Sequence, residues 1–300
     1  MEADYDPTIY ANAIHMSLLN SHSQSHGMVA SRETLFVSGS DLFALGHYPG
    51  NPVYPGALML DRMLAMAVSL AGNALGQNVH ATGVRRVQYL GVVVPGDMVV
   101  LEVTIEKHDG DDVTCEAVAS VAGDARVRAT ILCRVGAVEA GPPGVPAVDN
   151  VAPALTHQQI ARLLPHRYPF LLLDTVTTFR PDERILATKA VNRDSPILGR
   201  QPPPAYPATL AIESFGQAGV TLFYLDQTDD APSHALVGLM RDVTLHRSIP
   251  YDTILTLDVR IERLRSNMVV FGGDILIGDE PVIHVGSLVV MIATQEPGRA

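Results

Sequence analysis

Asn-Pro-Val-Tyr-Pro-Gly-Ala-Leu-Met-Leu-Asp (Asn51 to Asp61) returns late in the chain as Pro-Pro-Ala-Tyr-Pro-Ala-Thr-Leu-Ala-Ile-Glu (Pro203 to Glu213). Tyr54, Pro55, Leu58 and Asp61 fall on Tyr206, Pro207, Leu210 and Glu213, so an acid meets an acid. Each copy starts a helix, because a proline at the first turn lacks only an N–H that would have had no partner and already holds a helical φ. Ala57, Leu58, Leu60, Met63, Leu64, Ala67 and Val68 leave the first helix little polar surface, and Leu210, Ile212, Phe215, Gly219 and Val220 do the same for the second. A carboxylate inside such a helix has to be paired, protonated or used.

Working outward, each helix is followed by a turn, Val-Val-Pro-Gly-Asp (Val93 to Asp97) and Ser-Ile-Pro-Tyr-Asp (Ser248 to Asp252), and then by runs rich in Val, Ile, Leu and Thr. These runs, Met98 to Val135 and Thr253 to Thr294, predict long antiparallel strands, with turns at His108 to Asp112, Gly123-Asp124, Ser266-Asn267 and Gly278-Asp279. Between the halves, Gly136 to Pro153 is rich in Gly, Pro and small residues without apolar periodicity, which reads as a linker. The expected organisation is a domain over 1–137, a linker over 138–153 and a second domain over 154–300. Each is α+β, an antiparallel sheet wrapped around one long helix.

Composition narrows the function. With 300 residues, 47% of them hydrophobic, the chain can fill real cores. A formal charge of −11 argues against a nucleic-acid binder and leaves any anionic partner to a local patch, such as Arg85 with Arg86, Arg241 with Arg247, or Arg263 with Arg265. Gly56 to Leu75 carries Asp61, Arg62, Ser69 and Asn73 and reads as a buried helix, not a membrane span. The N-terminal segment lacks the basic start and apolar run of a secretion signal, so a cytoplasmic location is expected. Cys115 and Cys133 lie in strands without metal-site spacing and read as small core residues.

Gly-His-Tyr-Pro-Gly-Asn-Pro-Val-Tyr-Pro-Gly (Gly46 to Gly56), Leu-Leu-Pro-His-Arg-Tyr-Pro-Phe-Leu-Leu-Leu-Asp (Leu163 to Asp174) and Glu-Ser-Phe-Gly-Gln-Ala-Gly (Glu213 to Gly219) resemble segments of the 3-hydroxyacyl-acyl-carrier-protein dehydratases of bacterial fatty acid synthesis. The first half resembles the family's histidine loop, the second its N-terminal segment and acid helix. Where a second histidine should stand, the chain reads Leu-Gly-Arg-Gln-Pro-Pro-Pro (Leu198 to Pro204), with Gly199 or Arg200 in its place. The resemblance implies a double hot-dog, an intrachain pseudo-dimer. Its family takes each site's histidine and acid from different subunits, which here pairs His47 with Glu213 and leaves Asp61 facing the Arg200 region as a secondary or vestigial acid.

Gln217, four residues after Glu213 on the same helical face, can hold the carboxyl group, whereas Ala65 after Asp61 cannot. His47 is then the base and Glu213 the acid of a dehydration, with Gly56, or Ala208 in the other half, offering a backbone N–H to a developing oxyanion. His166 reads as structural, Tyr54 and Tyr206 as interface packing, and Met59, Met63 and Phe215 as tunnel lining. The resemblance implies acyl carrier protein as partner, with coenzyme A thioesters as substitutes, and no metal or redox cofactor. An isomerase using Asp61 and a non-catalytic carrier-binding module stand as alternatives.

Overall fold

Alternation makes the sheet. In Asp112–Val121 every second residue (Val113, Cys115, Ala117, Ala119, Val121) is buried, and three of these five are Cys or Ala, which lets a helix lie close. The computed structural model describes residues 21–25, 28–142, 152–199, 201–225, 234–265 and 267–293. The first half contains β1 (Ser21–Ser25), β2 (Met28–Phe36), α1 (Leu42–His47), α2 (Gly56–Leu75), β3 (Val79–Tyr89), β4 (Met98–Asp109), β5 (Asp112–Val121) and β6 (Asp124–Val135). The second contains α3 (His157–Leu163), β7 (Thr175–Arg180), β8 (Arg184–Val191), α4 (Ala208–Leu225), β9 (His234–Leu245), β10 (Thr253–Arg265), β11 (Met268–Ile277) and β12 (Glu280–Ala293).

The strands run β1-β2-β4-β5-β6-β3-β9-β12-β11-β10-β8-β7, an order that reads the same from either edge once β1 to β6 are matched with β7 to β12. The sequence suggested one sheet per half. The two are in fact one continuous antiparallel sheet, joined where β3 pairs with β9 from Gly83↔Thr244 to Gln88↔Leu239. At that seam any side chain on Gly83 would run into the backbone of Val243, so glycine is required for the strands to meet.

Helix α2 packs on β2 to β6, α4 packs on β8 and β10 to β12, and the two helices touch each other. Helix α2 is long and apolar enough to span a membrane by composition alone, yet Leu60, Met63 and Leu70 are buried against the sheet, as expected for a core helix. Gly76 closes it in the left-handed conformation, its N–H donating to the Gly72 carbonyl. Cys115 and Cys133 are buried and free. Most of the presumed linker lies outside the described residues. Its first part is held by the second half: Ser248 N–H donates to the Glu139 carbonyl and Gly141 N–H to that of Ser248.

Candidate active site

His47 is the last residue of α1, a short helix capped by Asp41, whose carboxylate accepts from the Phe43 and Ala44 amides at 2.9 and 3.0 Å. The preceding Gly46 is needed because a Cβ there would meet the Arg167 and Tyr168 carbonyls at 2.9 Å. With glycine in place, the Leu-Pro-His-Arg-Tyr-Pro segment of the second half seats directly on the turn, and Arg167 N–H donates to the Gly46 carbonyl at 2.7 Å. Tyr48 ties the loop to β9 through its hydroxyl, 2.7 Å from the Ala235 carbonyl.

The His47 ring lies with Nδ1 3.0 Å from the Val53 carbonyl. A carbonyl can only accept, so Nδ1 carries the proton and Nε2 keeps its lone pair. Burial pushes the His47 pKa down to about 4, against which the Val53 contact works, so the ring is neutral at ordinary pH.

Glu213 sits in the second turn of α4. Burial pushes its carboxyl up to about 7, only partly offset by the Gln217 amide 3.1 Å away. Gln217 is buried and uses both ends of its side chain: Nε2 also donates to the Phe170 carbonyl at 2.9 Å, and Oε1 accepts from Leu172 N–H at 2.9 Å. The expected clamp is present, and it simultaneously locks the second half's N-terminal segment onto α4.

His166, read from the sequence as structural, is buried beside the site: its Nε2 lies 3.8 Å from Glu213 Oε1 and its ring centroid 5.3 Å from that of His47. Burial, then the neighbouring His47 and Arg167, hold it well below the usual histidine range, so it is neutral. Among the described residues, no cation therefore faces Glu213 to pull its pKa down.

His47, His166 and Glu213 bring donor atoms within 4.8 Å of one another, a set of types that zinc accepts. Ligand atoms around tetrahedral zinc sit roughly 3.4 Å apart. The set would have to contract, and His166 Nδ1 is buried without the partner that orients a ligating histidine. The fit to a metal is poor.

One cavity of about 350 Å³ joins these groups, with walls that include Gly56, Met59, Tyr89, Ile212, Gly216 and Leu288. Gly56 opens α2, where first-turn amides have no helical acceptor and Pro55 supplies no side-chain cap. A Cβ at Gly56 would strike the Tyr89 ring. Of the residues expected to line a tunnel, Met59 does so, but Met63 and Phe215 do not: both are fully buried, turned from the cavity into the sheet-facing core. Tyr54 lines the cavity, while Tyr206 is buried beside Ile249 within its own half.

Asp61 stands outside the cavity wall. It accepts from the Thr209 hydroxyl at 2.8 Å, and burial raises its pKa. Arg200, its expected neighbour, lies outside the described residues.

The family model of the FabA-like domain matches residues 14–131 and again 164–286. The chain belongs to the FabA-like family. A 3-hydroxyacyl-[acyl-carrier-protein] dehydratase FabZ from Variovorax paradoxus is 35% identical over 126 residues, 84% of that protein and 41% of this chain. Two solved structures span almost everything. The dehydratase domain of a trans-AT polyketide synthase from Brevibacillus brevis has a TM-score of 0.64 at 13% identity, covering 91% of this chain and 96% of its own. The dehydratase domain of the CurJ module of the curacin polyketide synthase has a TM-score of 0.64 at 15% identity, covering 92% and 97%. At such identities the likeness concerns the fold, a double hot-dog. Within this FabA-like chain, His166 stood in a string already quoted from the sequence, and only tertiary packing reveals which side chain of that string turns into the site.

Proposed function

We propose that the chain removes water from 3-hydroxyacyl thioesters, giving trans-2-enoyl thioesters, at one composite site formed by His47 and Glu213. The observation that carries this reading is the pairing, in one cavity, of a neutral imidazole with a free Nε2 and a carboxyl group held near pH 7, one from each half of the chain. His47 Nε2 takes the C2 proton. Charge then passes to the thioester oxygen, toward which the Gly56 N–H is offered. As the C3–O bond breaks, the hydroxyl leaves with the Glu213 proton as water, and transfer of a proton from His47 to Glu213 resets the pair. Each proton-transfer group is worth about a hundredfold or more in rate.

Family membership and the relatives' dehydratase names support this chemistry and support a thioester on acyl carrier protein as the substrate; a cytoplasmic location belongs to the same proposal. The domain division at 1–137, 138–153 and 154–300 belongs to the same proposal. The test is incubation of the protein with a 3-hydroxyacyl thioester, following enoyl absorbance and separating the products. A 2-enoyl thioester is expected. A 3-enoyl major product would move the assignment to an isomerase, and no turnover would favour a carrier-binding module.

A further inference from the structure

The cavity reaches solvent at Leu90, which lines it and is 51% exposed. Beside it, Gly91 also lines the cavity, and the Arg126 side chain lies over Gly91, with Nη1 2.9 Å from where a Cβ would stand. The placement has a backbone cause. Between β5 and β6 the register passes from Ala119↔Val127 to Ser120↔Ala125, so Arg126 is the extra residue of a β-bulge. Such a bulge turns a side chain away from its regular direction. Its carbonyl accepts from Leu90 N–H at 2.8 Å, which fixes the bulge to the rim.

Among the described residues no carboxylate pairs with Arg126, and its Nε is buried without a hydrogen-bond partner. Arg128, next outward on the same strand, is exposed and pairs with no described carboxylate either. In a chain of charge −11, an unpaired guanidinium turned over a cavity rim by a bulge fits an anion arriving with the ligand.

We propose that Arg126 binds the phosphate of the pantetheine arm that carries the thioester, an inference that rests on the dehydratase reading. That phosphate is common to a carrier protein's arm and to coenzyme A. The test compares kcat/KM for 3-hydroxyacyl thioesters of acyl carrier protein, of coenzyme A and of N-acetylcysteamine, the last having no phosphate.

In Arg126→Gln, kcat/KM for both phosphate-bearing substrates, relative to the N-acetylcysteamine thioester, is expected to fall about tenfold through KM. Gly91→Ala, which displaces the guanidinium, should lower the same ratio, and Arg134→Gln, whose side chain instead pairs with Asp112, should leave it unchanged. The wild-type rates with carrier protein and coenzyme A identify the source of the phosphate. An unaltered ratio in Arg126→Gln, or a fall confined to the carrier-protein substrate, overturns the phosphate assignment while leaving the dehydratase reading in place. A wild type that turns over none of the three overturns both.

Discussion

Glu213 and His47 are displaced from their ordinary pKa values in opposite directions, and each displacement favours the uncharged form that dehydration needs. With His47 at about 4 and Glu213 at about 7, activity should be level between these values. Above pH 7 it should fall roughly tenfold per unit as the acid ionises. A kcat/KM profile against pH checks this; the limits belong to the coupled pair. Stability follows with a definite sign. A carboxyl raised from 4.5 to about 7 by folding costs the native state stability as pH rises through that window. Glu213→Gln should therefore melt at the same temperature as the wild type near pH 4 and a few degrees higher at pH 8, as read by thermal unfolding. Gln217→Leu should have the opposite effect, losing about 3 kcal/mol in denaturant unfolding because Phe170 C=O and Leu172 N–H are left buried without partners. The Glu213–Gln217 pair was legible in the sequence because four-residue spacing is a property of any helix. The position of His166 was not, since tertiary packing brings its neighbours together, Glu213 from a distant helix of its own half and His47 from the other half.

At the scale of elements, α1 and the Leu-Pro-His-Arg-Tyr-Pro segment position the base as one unit across the two halves. Gly46→Ala places a methyl group against two carbonyl oxygens, and neither can rotate away as a side chain would. It is expected to destabilise the fold by about 1–3 kcal/mol and to lower kcat as His47 shifts, checked by unfolding and by enoyl formation. Strands β4 to β6 and β10 to β12 were legible because their apolar residues alternate and their turns contain Gly, Asp or Asn. Strand β3 was hidden: Arg85 and Arg86 interrupt its pattern, and register shifts at Ala81/Gly83 and Val84/Arg86 break the period of two. Arg247, once grouped with Arg241 as a free basic patch, is engaged by Glu139 and Glu280.

At the scale of the whole molecule, fusion lets the halves diverge. The strand seam, the two touching helices and hydrogen bonds such as Arg167 N–H to Gly46 and Tyr48 to Ala235 hold them together, so one half can keep the histidine while the other keeps the clamped acid. The internal repeat made the doubling legible; the continuity of the sheet was not, because seam pairing leaves no local pattern. Since both groups of the proposed site belong to one chain, mixing His47→Ala with Glu213→Gln protein should restore no activity. Recovery in the mixture would mean that sites form between chains.

The most direct test of the composite site is dehydration of one 3-hydroxyacyl thioester by the wild type, His47→Ala, Glu213→Gln and Asp61→Asn, measured side by side as growth of enoyl absorbance. The first two substitutions should each lower kcat by about a hundredfold or more, and the third should leave it near the wild-type value. An inactive Asp61→Asn beside an active Glu213→Gln would contradict the pairing of His47 with Glu213.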